Sequence, residues 1–229
     1  YESAAITSSI LGNYEKAIQY IDVLLNNPEA KVNGEKNNQE QNIRRKASYL
    51  AGNGNTNEAI ESINSALKLF PKSLELKKEK LKIFNDLGKM DTVLTLLEDI
   101  TKEVKDDVQM YTVMGGIYVK KGMLDESYKA YKNALAIDPN NKFAIFGMGV
   151  YYINRSNEYI NTPDSVSQEE SDRIVKEQHK NIDKAVVYFN QYLEIEPGDR
   201  PTLTTLRQIY QAKGNEEKLA EINKQLMGE

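Results

Sequence analysis

Residues 108–141 read VQMYTVMGGIYVKKGMLDESYKAYKNALAIDPNN, and their pattern decides the fold. Tyr111, Met114 and Tyr118 recur at helical spacing, so they share one face of a first helix. Tyr131, Ala134 and Leu135 do the same for a second. Gly122 ends the first helix, and Asp138-Pro139 ends the second, because a proline ring cannot continue a helix. The small residues Gly115 and Ser127 fall where two antiparallel helices would approach most closely.

The same marks recur outward from this stretch. If the closing proline is position 32 of a unit, Pro71 and Pro139 give starts at 40 and 108. Starts at 74 and 142 complete a series with a step of 34 residues. The second unit carries Ile43, Ala47, Leu50, Gly54, Ala59, Ile63, Ala66 and Pro71. The third departs from the pattern. Leu81 and Val93 replace small residues at the close approach, which should hold its helices further apart, and Lys105 replaces the proline. Upstream, ILGNYEKAIQYIDVLLNNPE aligns Gly12 with Gly122 as a shortened first unit. It is followed by KVNGEKNNQEQ, which reads as a polar loop. Downstream, the fifth unit pairs Ile145, Met148, Gly149 and Tyr152 with Ala185, Phe189, Tyr192 and Pro197. Tyr152 to Ala185 spans 33 residues where the fourth unit uses nine, so 24 are inserted. The sixth runs from Arg200 through Leu203, Leu206, Tyr210, Gly214 and Leu219. Arg207, where a small residue is usual, suits a terminal repeat with a wet outer face.

With glycine at position 15 in five units (Gly12, Gly54, Gly88, Gly122, Gly214), the chain resembles the tetratricopeptide-repeat family over all but the two insertions. That resemblance implies an all-α fold, a right-handed superhelical solenoid of antiparallel helix pairs. The expected organisation is a single solenoid over 1–229, with units at about 1–31, 40–73, 74–107, 108–141, 142–199 and 200–229. The fifth carries the insertion near 156–179. Within it, Ser167 and Glu170 have the form of a capping box. A stripe of Ile174, Val175, Gln178, Ile182, Ala185 and Phe189 follows, while Tyr152, Ser156, Tyr159 and Ile160 prolong the preceding helix. Thr162-Pro163-Asp164 reads as the turn, so a long helical hairpin with both arms extended is expected. His179 reads as a solvated residue on a charged helix.

Composition bounds the function. The 229 residues are 28% charged and 40% hydrophobic, with a net charge of −4. An acidic chain lacks the basic surface that nucleic acid requires. No apolar run reaches the roughly 18 residues of a membrane span. There is no cysteine and one histidine, so thiolate chemistry is excluded and nucleophile-and-base catalysis has few players. No phosphate loop or metallohydrolase motif occurs, so no enzyme activity, cofactor or metal is expected. The chain starts at Tyr1 with no visible signal-peptide pattern, which leaves an upstream leader or anchor open.

Function is then expected in a surface. The family resemblance places unit positions 2, 5, 6, 9, 12 and 13 on a concave groove lined by the first helices. That groove takes Arg44, Arg45, Lys78 and Lys82 on its N-terminal side, and Gln109, Thr112 and Val113 in the middle. Gly116 and Gly147 fall on it too, and Phe143, Phe146 and Val150 make its C-terminal side apolar. A peptide or protein segment with an acidic end and an apolar anchor would suit both sides. Two alternatives stand beside this. Arg44 and Arg45 pair with Glu75 and Glu79, or Phe143 and Phe146 pack against the hairpin or the sixth unit. The carboxylate clamp of some family members is not supported, because Glu79 and Val113 stand where it needs polar or cationic groups. The last two units resemble leader-bearing bacterial tetratricopeptide-repeat proteins, which implies an envelope location and an assembly role. The expected function is a non-catalytic protein-binding scaffold, acting through the groove or, by self-association into a homo-oligomer or a larger complex, through the hairpin.

Overall fold

The computed structural model describes residues 1–29, 31–32, 35–159 and 166–228. Among them run twelve helices, taken in order as α1 (Glu2–Ile10), α2 (Tyr14–Leu25), α3 (Gln39–Gly52), α4 (Thr56–Leu69), α5 (Leu74–Asp86) and α6 (Met90–Glu103). Then come α7 (Val108–Lys120), α8 (Leu124–Ile137), α9 (Lys142–Asn157), α10 (Gln168–Ile195), α11 (Arg200–Ala212) and α12 (Glu216–Met227). The fold class is the expected one, with consecutive helices packed as antiparallel pairs.

Local chemistry explains where each helix starts and stops. Asn13, Asn38, Ser73, Asp107, Asn141, Ser167, Asp199 and Asn215 each accept a hydrogen bond from the backbone N–H three residues on. Each such cap contributes about 1 kcal/mol. The position-15 glycine closes the first helix of a pair in a left-handed conformation, as at Gly122 with φ 72°. In the fifth unit that position is Ser156, and α9 runs on to 16 residues where α7 has 13.

The chain forms two compact units, residues 1–103 and 104–229. The division falls where Lys105 stands in place of a closing proline. In the first unit, Ala5, Ala17, Ile21, Leu24 and Tyr49 form one core cluster. Ala47, Leu50, Ala59, Ile63, Leu76 and Ile83 form a second. Helices α5 and α6 pack less closely than α3 with α4, in keeping with fully buried Val93 in place of a small residue. After Pro28, where the sequence reads as a polar loop, the described residues include two short strands. Lys31–Val32 (β1) pairs antiparallel with Glu35–Lys36 (β2). Buried Asn37 then donates to the carbonyls of Leu24 (2.6 Å) and Asn27 (3.0 Å) and accepts from Asn42 (2.5 Å). One asparagine thus ties the end of α2 to the start of α3.

In the second unit the core is built around Tyr131 of α8. A Cβ added at Gly115 of α7 would lie 2.5 Å from its ring, and one at Gly147 of α9 would lie 2.2 Å away. Both glycines are therefore seats for one aromatic ring. This corrects the expectation for Gly147, which is buried packing and not groove surface. Gly149 seats Phe189 of α10 in the same way, at 2.5 Å.

The inserted hairpin is lopsided. Lys142 pairs with Glu196, and the rings of Phe146 and Tyr192, then Tyr152 and Tyr188, meet along α9 and α10. That register brings the end of α9 at Asn157 roughly level with Asp183. Among the described residues, only α10, with 28 residues, extends beyond. The first arm ends because a turn follows at Glu158 and Tyr159. Ile160 and Thr162-Pro163-Asp164 lie outside the described residues. Ser167 caps α10 as expected, but Glu170 turns to Arg173 (2.8 Å). Asn181, Ala185 and Phe189 carry the buried stripe, and Val175 is off it, 44% exposed.

Two measurements check this packing. Gly147→Ala should lose about 1–2 kcal/mol in urea unfolding, since overpacking outweighs the helix propensity gained. Gly122→Ala should lose about 1 kcal/mol from backbone strain alone, as nothing lies within 4 Å of an added Cβ there. Burial also pushes the Tyr131 phenol up to about 12. The folded chain then holds a proton that the unfolded chain gives up near its ordinary value of about 10. The contribution is whole below that value and is lost as pH rises through 12. Tyr131→Phe should therefore flatten the decline in unfolding free energy above pH ~10, by about 2–3 kcal/mol at pH ~12.

Candidate interaction surface

In the first unit, successive first helices are linked by ion pairs. Arg45 of α3 donates to Glu2 of α1, and Arg44 Nη1 lies 3.8 Å from Glu79 Oε2 of α5. The two arginines expected to meet an acidic partner are thus engaged within the fold. Of the pairings weighed, Glu79 takes Arg44, while Glu75 is exposed. Lys78 is half-buried and is not a free cation. Lys82 is exposed and forms no ion pair among the described residues.

Lys82 instead borders a cavity of about 490 Å³ between the C-terminal halves of α1, α3 and α5. Ser9, Tyr14, Ser48, Tyr49, Glu79, Ile83 and Asp86 are among its walls. At the end of α3, Gly52 leaves room for the Tyr14 ring; a Cβ there would sit 2.8 Å from it. Glu79 is only 8% exposed, and its Oε1 has no hydrogen-bond partner among the described residues. Sequence reasoning saw Glu79 as a residue that would repel a carboxylate, or as a partner for Arg44 and Arg45. Its place on α5 was readable, but its unpartnered oxygen depends on the reach of Arg44, which spacing does not show.

In the second unit, the polar stretch of α7 is quiet. Gln109 is exposed, Thr112 Oγ1 donates to the Gln109 carbonyl (2.8 Å), and Val113 is half-buried. The aromatic stretch of α9 divides between the two readings. Phe143 is 64% exposed, with Lys142 Nζ 5.5 Å from its ring centre. Phe146 is 36% exposed and leans on Phe189 (5.9 Å) and Tyr192 (5.1 Å) of α10. Val150 is half-buried against the core. The Lys142 ammonium is held above its ordinary range by its hydrogen bond to Glu196 and that carboxylate's charge. An open aromatic ring therefore sits beside a fixed ion pair on the first helix of the fifth unit.

Among the described residues no cluster of three or more His, Cys, Asp or Glu side chains is placed to hold a metal. His179 is exposed on α10. No described helix is long and apolar enough to cross a membrane.

Residues 108–141 match the family model of the tetratricopeptide repeat. No curated protein matches the chain in sequence. Several solved structures share its fold. A tetratricopeptide-repeat protein from Parabacteroides merdae is 15% identical with a TM-score of 0.63, covering 98% of this chain and 77% of that one. MamA from Desulfovibrio magneticus, residues 41 to the end, is 15% identical with a TM-score of 0.59 over 86% of this chain and 93% of its own. YrrB, described as a tetratricopeptide-repeat protein with an unusual peptide-binding site, is 17% identical with a TM-score of 0.59, over 89% and 88%. Residues 108–141 thus match one tetratricopeptide repeat, and the chain has the all-α helical-repeat fold of these structures.

The two phenylalanines should separate in mutation. Phe143→Ala should change unfolding free energy by under ~0.5 kcal/mol, as expected of an exposed side chain. Phe146→Ala should cost about 2 kcal/mol, because its ring contacts on α10 are lost.

Proposed function

We propose that this tetratricopeptide-repeat chain is a non-catalytic scaffold that holds a peptide or protein segment along the exposed faces of its first helices. The observation that carries the reading is Phe143, a large ring left mostly open on α9 although the core beside it is well filled. Arg44, Arg45 and Phe146 serve the scaffold itself, so the anchors are Phe143 with Gln109, Thr112 and Val113 on the second unit, and Lys82 on the first. The peptide-binding site named for YrrB supports this class of function. The six helix pairs, read as one solenoid with the unit boundaries given above, belong to the same proposal.

A second reading rests on α10. Its N-terminal half extends beyond α9, and Val175 (44% exposed) and Val187 (55% exposed) open onto one side of the helix. An assembly scaffold would use this arm for self-association or docking.

One experiment addresses both. Wild type, Phe143→Asp and Val175→Lys/Val187→Lys should be compared by quantitative co-purification from the source cell, with light scattering on the pure chains. Loss of the partner in Phe143→Asp with unchanged thermal stability supports the segment-binding scaffold. Retention of every partner by that variant, with loss of mass or partner only in the α10 variant, assigns the function to the arm instead.

A further inference from the structure

The Tyr131 ring that fills the gap between α7 and α9 ends in a hydroxyl without a partner. A Cβ added at Gly116 of α7 would lie 3.8 Å from Tyr131 Oη, and one at Gly147 of α9 would collide with the ring. The hydroxyl therefore comes up between these two helices, beside the half-exposed Gly116. Tyr131 is 6% exposed, and its Oη makes no hydrogen bond among the described residues. Glu79 Oε1, Ser127 Oγ and Thr202 Oγ1 are unpartnered and fully enclosed; Tyr131 Oη is not enclosed, so it still meets solvent. Residues four apart share one face of a helix. Phe143 thus stands one turn before Gly147 on α9, and Lys120 one turn beyond Gly116 on α7. The two helices run parallel, so Phe143 and Lys120 lie on opposite sides of the hydroxyl. Lys120 is exposed and forms no ion pair among the described residues. Helices α7, α9 and α11 contain no Asp or Glu, although the chain has 34, so no carboxylate on these helices competes for that ammonium.

We propose that an extended stretch of the bound segment crosses this point. One of its main-chain carbonyls accepts from Tyr131 Oη, an apolar side chain lies on Phe143, and a carboxylate reaches Lys120. This inference rests on the segment-binding reading above and names what the segment carries. Water satisfies the hydroxyl in the free protein, and an occupant that displaces that water must replace its hydrogen bond. An extended chain offers free carbonyls, whereas a helix spends its own internally. Gly116 has no side chain, so a partner's main chain can come close to the hydroxyl. Burial pushes the phenol up to about 12, so it stays a donor. The three contacts span two helical turns and the gap between the helices, roughly 15 Å, which is four to five residues of extended chain. The apolar and acidic residues of the segment are therefore about four positions apart. A basic residue in place of the acidic one would meet Lys120 and find no carboxylate on α7, α9 or α11. The acidic end expected of the partner thus moves from Arg44 and Arg45, which are engaged within the first unit, to Lys120 on the second.

The test uses the full chain and three biotin-tagged heptapeptide pools with blocked ends. Each pool fixes Leu near one end and, four residues away in either order, Glu, Gln or Lys, with uncharged residues elsewhere. Equilibrium retention should favour the Glu pool over Gln by about threefold, and over Lys by more. Tyr131→Phe keeps the ring in its seat and removes only the hydroxyl. It should lower retention of the Glu and Gln pools alike by about three- to tenfold, with the thermal midpoint at neutral pH unchanged. Lys120→Ala should remove the preference for Glu and leave the Gln pool as it was. Full retention by Tyr131→Phe, equal retention of the three pools, or a preference for Glu that survives Lys120→Ala overturns the inference. So does a larger mass of the pure chain in light scattering that Tyr131→Phe reverses, which gives this face to a second copy. Retention of no pool also overturns it, but the segment-binding function stands if Phe143→Asp still loses its partner in co-purification, so the two failures are distinct.

Discussion

The second unit depends on one ring filling one gap. Tyr131 stands on α8 and occupies the space that two missing side chains leave on α7 and α9. An inter-helix distance is set by the side chains at the contact, and here the bulk comes from the middle helix while its neighbours give none. That arrangement fixes both the pairing of α7 with α8 and the stacking of α9 on the pair. Phe189 repeats the device against Gly149, so α10 is positioned on α9 by the same rule. The orientation of α9 follows, and with it the exposure of Phe143.

The first unit solves a similar problem with charge. Arginines at adjacent positions of α3 point to opposite neighbours, Glu2 on one side and Glu79 on the other. Partly buried pairs of this kind contribute modestly to stability, because desolvation offsets much of the attraction. They do more to the character of the surface. Cations that would otherwise face a partner are neutralised, and a carboxylate is drawn inward to meet them.

These two solutions explain what was readable in the sequence. Periodicity and the position-15 glycines made the helical-repeat fold readable, because a helix end is decided by a few neighbouring residues. The role of Gly115 at a close approach followed from the same frame. Gly147 was misplaced onto the groove because its partner, Tyr131, lies in another repeat unit and no local spacing shows it. The long hairpin was read as symmetric because Tyr152 and Ser156 keep the helical stripe. A stripe shows which face is buried, and the backbone can leave the helix at Glu158 while the stripe still continues. Arg44 and Arg45 were visible as groove positions, yet whether a cation is spent inside the fold depends on the reach of side chains across helices. The pairing with Glu79 was weighed, and its incompleteness was beyond sequence.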